Sequence, residues 1–119
     1  MLGRKGLSSV LLVIAAATVF GAHAMQDKSS VVLEIGLPNG SAPQLRIADG
    51  ETGTVTLPGI GTFGFVPALR PGAVTVELFD LNRTPHRRMA RMEAKIGGES
   101  VRSETDPEFS VRVLRVMAP

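Results

Sequence analysis

Residues 84–96 read TPHRRMARMEAKI, and the fold turns on whether that stretch is helix or strand. As a helix, Thr84 caps it, Pro85 occupies the first turn, Met89, Met92 and Ile96 share a face, and Gly97 ends it. Ala, Met, Arg, Glu and Lys are good helix formers, so local propensity favours this reading. As a strand, Ala90, Met92, Ala94 and Ile96 point inward, and Arg87, Met89, Arg91, Glu93 and Lys95 point outward. The neighbouring segments favour the strand, because a sheet built on both sides of it needs a partner here; the residues themselves leave both readings open.

Those neighbours alternate. Val31, Leu33, Ile35 and Leu37 recur at period two before Pro38-Asn39-Gly40 turns the chain. Leu45 and Ile47 alternate with Gln44 and Arg46, and Asp49-Gly50 is a hairpin-type turn pair. Val55 and Leu57 alternate with Thr54 and Thr56 ahead of Pro58-Gly59. Phe63, Phe65 and Leu69 share a face, with Pro67 marking an edge or a bulge. Arg70-Pro71-Gly72 has the residues of a type II turn. Val74, Val76 and Leu78 follow opposite Thr75 and Glu77, and Phe109, Val111 and Val113 close the series. Period two gives each strand one buried and one wet face, as in antiparallel sheets. Beyond residue 24, ten Gly and eight Pro fall about once every five residues, too densely for average helices but not for strands. The expected fold is all-β: a small, mostly antiparallel β-sandwich of about seven or eight short strands. It is immunoglobulin-like in size but lacks that domain's Cys–Trp–Cys signature, the chain having no Cys and no Trp.

The first 24 residues are of another kind. Arg4 and Lys5 precede an apolar run over residues 7–20, and Ala22-His23-Ala24 supplies small residues at a cleavage site. This is the pattern of a Sec-type signal peptide. The run is shorter than the roughly 20 residues a spanning helix needs, so no stable membrane anchor is expected after cleavage. Cleavage after Ala24 leaves a polar, flexible tail over residues 25–30 and a single β-sandwich domain over residues 31–117. The expected destination is the periplasm or the medium.

Charge narrows the function classes. The 119-residue chain has 13 Lys and Arg against 11 Asp and Glu, and removing Arg4 and Lys5 leaves eleven of each. A net-neutral domain without Trp or Tyr gives no case for nucleic acid, and no carbohydrate ligand is expected because the amphipathic rings are missing. Catalysis has little to draw on. His86 is the one histidine beyond the leader, no serine sits in a G-x-S-x-G elbow, and Glu104, Asp106 and Glu108 lie in a turn where carboxylates are solvated. A small hydrolase is therefore a remote alternative. No cofactor is expected. The glycines at 59, 61 and 64 lead into a strand pattern and mark a bend or bulge, not a phosphate loop.

Two clusters remain. His86, Met89 and Met92 follow an H-x-x-M-x-x-M spacing, and imidazole with thioether suits Cu(I), although interleaved arginines repel a cation and methionine is common core filler. Arg87, Arg88, Arg91 and Lys95 form a basic strip, read either as a solvated sheet face or as a docking patch for an acidic protein surface. The leading expectation is an exported binding or accessory module, chaperone-like in one version, that works by contact with another exported or envelope protein. Its physical motive is the unpaired N–H and C=O groups of sandwich edge strands. The segments 63–69 and 87–95 are the expected protected edges.

Overall fold

In the computed structural model, residues 28–119 are described; the leader and cleavage site expected over residues 1–24 lie outside them. Eight strands form among the described residues: β1 (Ser30–Gly36), β2 (Gln44–Ala48), β3 (Gly53–Leu57), β4 (Gly61–Arg70), β5 (Ala73–Asp80), β6 (Arg87–Lys95), β7 (Val101–Arg102) and β8 (Ser110–Met117). They make two antiparallel sheets, ordered β2-β1-β8-β7 and β3-β4-β5-β6. The all-β sandwich expected from the sequence is the fold, and residues 84–96 supply a strand.

The period-two residues face one another across the sandwich. Val31, Leu33, Ile35, Val55, Phe65, Val74, Val76, Leu78, Val111 and Val113 are all fully buried. Phe109 sits between the sheets, its ring 5.2 Å from Phe63 and 5.4 Å from Phe65, tilted to one and edge-on to the other. Such tilted arrangements suit aromatic quadrupoles. At Pro58-Gly59 and Pro71-Gly72 proline fixes the second turn residue and glycine takes positive φ at the third, 78° and 75° respectively.

Three local expectations need correction and a fourth is narrowed. Asp49-Gly50 joins no hairpin: β2 and β3 belong to different sheets, so this turn is a corner between the layers. Segment 63–69 is not an edge strand, because β4 is paired on both sides; β3 ends opposite Phe65, however, so at Pro67 only β5 remains in register. There the Gly50 N–H donates to the Pro67 carbonyl at 2.8 Å, and the missing proline donor costs no ladder bond to β3. Of the bend or bulge expected at glycines 59, 61 and 64 the bend forms, with Gly59 and Gly61 at positive φ where β3 turns into β4; β3 and β4 then pair in unbroken register, and Gly64 leaves room for Thr52 and Leu81 to fold over the strand. Ile96 does not point into the core but is 41% exposed, since β6 stops at Lys95.

The sheet begins at Ser30, which is 1% exposed and paired with both Ala48 and Met117. Just before it, Lys28 Nζ reaches Glu51 Oε2 at 2.8 Å. The second corner is made by Ile96, which bridges to Val113 in parallel, while the Gly97 N–H donates to the Val113 carbonyl at 2.8 Å. The two layers are thus stitched along opposite sides, once at Asp49-Gly50 and once at Ile96-Gly97. No helix among the described residues is long and apolar enough to cross a membrane.

Candidate functional site

The outward surface of the β3-β4-β5-β6 sheet collects the basic residues, and a bulge determines which ones. β5 and β6 pair regularly from Ala73↔Lys95 to Leu78↔Ala90, then slip so that Phe79 faces Arg88 and Met89 is the extra residue. A bulge flips the phase of everything beyond it. Arg88 therefore shares the outer face with Arg91 despite a spacing of three, and Met89 turns toward the core with Ala90. The expected alternation, with Met89 outward beside the arginines, fails for this reason.

On that face Arg88 Nη1 lies 2.8 Å from Glu77 Oε2, with Arg91 directly across from the same glutamate. Both partners of the pair are partly exposed, so it orients side chains more than it stabilises the fold. Arg87, expected on the outer face, is carried by the same slip into the inward phase, where it stands opposite Asp80 at the end of the sheet. The Asp80 carboxyl is held below the usual carboxylate range, first by the Asn82 backbone N–H, then by the Asn82 side-chain amide, with Arg83 and Arg87 adding their charge. Among the described residues no carboxylate lies within 4.0 Å of Arg87, Arg91 or Lys95. β6 is an edge strand as expected, and all four candidate cations on it are exposed.

Two recesses open on this side. One, of about 250 Å³, has Val66, Phe79 and Leu81 as apolar wall with Glu77 and His86 on its rim. The other, of about 490 Å³, is lined by Arg70, Pro71, Thr75, Arg91, Met92 and Glu93. Arg70 and Thr75 are not singled out by the sequence: nothing local shows that the end of β4 and the middle of β5 meet Arg91 across the sheet.

The His86, Met89 and Met92 set does not assemble on one face. His86 rims the outer recess, whereas Met92 is 5% exposed within the core and Met89 packs against that core. Methionine acts here as apolar filler. Among the described residues no three His, Asp or Glu side chains group as metal ligands. Glu104, Asp106 and Glu108 are exposed, and their loop is organised around Ser103, whose hydroxyl accepts the Phe109 N–H at 2.9 Å and meets Thr105 at 2.7 Å. That serine is spent on structure.

In comparisons with known proteins, no family model, no curated protein and no solved structure matches this chain.

Proposed function

We propose that the chain is a small exported binding module that works by protein–protein contact, with the outer face of β5 and β6 as its docking surface for an acidic region of another exported or envelope protein. The reading of export comes from the leader pattern over residues 1–24. The observation that carries the docking role is an excess of positive charge on that face, where Arg88, Arg91 and Lys95 outnumber Glu77 and Glu93. Arg91 and Lys95 project from the outer face of the edge strand, and no carboxylate among the described residues comes within 4.0 Å of them. Complementary charge of this kind raises encounter rates and sets orientation more than it adds affinity. The apolar recess at Phe79 gives the same face a place for one anchoring side chain, as interfaces require at their centre.

Contact through the face fits better than strand addition along β6. Its bulge at Met89 and its row of arginines are the devices that discourage edge pairing.

Photo-crosslinking in living cells tests this reading. A photoreactive residue at position 88 or 95 should capture a partner through an acidic segment identifiable by mass spectrometry. One at Arg115, on the other sheet, should not. Equal yields from all three positions, or adducts with no acidic segment, would sink the proposal.

A further inference from the structure

Thr75 is the odd residue of the outer face. It lies on the outward side of β5 between Ala68 and Glu93, yet is only 6% exposed. The hydroxyls of Thr56, Thr62, Ser103 and Thr105 are each bonded to a neighbour. Thr75 is covered equally well or better and has no side-chain hydrogen bond among the described residues. A hydroxyl on so buried a residue, without a protein partner and with a recess in front of it, is a place where a bound group can supply one.

The recess above it holds the complement. Arg70 reaches only the Leu69 carbonyl, at 3.4 Å, and Arg91 contacts no carboxylate among the described residues. Both line the same space as Thr75, with Glu93 beside them. Two guanidinium groups and a hydroxyl offer donors to an oxyanion, and arginine forks match a carboxylate in geometry. Charge selects which oxyanion. Arg70, Arg91 and Glu93 together carry one net positive charge, which a single carboxylate neutralises and a phosphate dianion exceeds.

We infer that Arg70, Arg91 and Thr75 form a subsite for one carboxylate, the side chain of a Glu or Asp on the docking partner. The subsite rests on the docking role proposed above and names the chemical group it takes. The carboxylate accepts from both guanidinium groups and from Thr75 Oγ1, with Glu93 excluding a second charge.

The test is NMR titration of the protein purified from cells, with three probes: acetyl-Gly-Glu-Gly-amide, its Gln counterpart, and inorganic phosphate. The Glu peptide should give saturable shifts at the Thr75 amide and the Arg70 and Arg91 side-chain Nε–H signals. It should bind about tenfold more tightly than the Gln peptide, as charge-assisted hydrogen bonds do over neutral ones. Arg70→Gln should remove the saturation, and Thr75→Val should weaken it severalfold with the rest of the spectrum unchanged. Shifts spread equally over Arg83, Arg102 and Arg112, no saturation, or tighter binding of phosphate would each overturn the assignment. Crosslinking from β6 that survives Arg70→Gln, with no response to the Glu peptide, removes the subsite and leaves the docking face. Peptide binding without any crosslinked partner removes the docking face instead.

Discussion

The Asp49 carboxylate accepts the backbone N–H of Leu69 at 2.9 Å, so a side chain from the corner between the sheets takes the place of a strand that has already ended. β3 gives β4 no partner beyond Phe65. From there the corner takes over, with Gly50 donating to Pro67 and Asp49 accepting from Leu69. A β4 segment that would otherwise present an open ladder is closed by two residues of a turn.

Asp49→Ala should therefore destabilise the domain by about 1–3 kcal/mol, the usual cost of leaving a partly buried N–H unpaired. Asp49→Asn, which keeps an acceptor oxygen, should recover most of the loss. Urea unfolding of the two variants beside the parent measures both effects.

Asn82 mimics a peptide unit against the start of β4. Its side-chain oxygen accepts the Thr62 N–H at 2.8 Å and its amide donates to the Thr62 carbonyl at 3.1 Å. Gly61 lies beneath it with φ 150°, and a Cβ there would run into the Asn82 amide. Gly61→Ala should lower stability by about 1–3 kcal/mol through backbone strain and displacement of Asn82. Exchange at the Thr62 amide should speed up as its bond to Asn82 is lost, which hydrogen exchange reads directly.

Acid should loosen the same region. The Asp80 carboxyl is held below its ordinary value of 3.8 by Asn82, with help from Arg83 and Arg87. A depressed carboxyl contributes stability that is fully present above the ordinary value and is lost as pH falls through the folded one. The stability difference between the parent and Asp80→Asn should thus be constant from pH 7 to 5 and shrink below pH 4. A difference unchanged down to pH 2 would contradict this.

Phe109 closes the core between the two sheets, 1% exposed and in contact with Phe63 and Phe65. Truncating it to alanine should cost about 3–5 kcal/mol, a large share of the roughly 5–15 kcal/mol that holds a domain of this size folded. Phe109→Leu should cost clearly less. Thermal unfolding ranks the three proteins.

Because His86 and Met92 belong to opposite sides of the sheet, replacing Met89 and Met92 together by Leu should leave Cu(I) retention unchanged against a competing chelator. Stability should also change little, since Leu and Met are similar in volume.

Alternation carried the reading of the sheets because it is local and repeated; residues 31–37, 53–57 and 74–78 needed nothing beyond themselves. The pairing errors arose where partners are remote. No signal within Asp49-Gly50 distinguishes a hairpin from a corner, since both need the same turn residues. Met89 carries no mark of a bulge, and because of its slip strict alternation places Arg87 beside Arg91 where the structure has Arg88. The basic strip was legible as a run along one strand. Its continuation through Arg70 and Thr75 was not, because three strands contribute to it.

The pairing of Ser30 with Met117 has a consequence for the order in which the molecule can form. The second sheet grows by successive short hairpins from β3 to β6, each available as soon as its residues exist. The first sheet cannot be completed until the final strand arrives, because β8 lies between β1 and β7. Closure across nearly the whole chain is slow, since its entropy must be surrendered before any contact repays it. A nascent or C-terminally clipped chain therefore has half of its layers without a lining, and the eight residues of β8 act as the clasp that commits the polypeptide to its finished state.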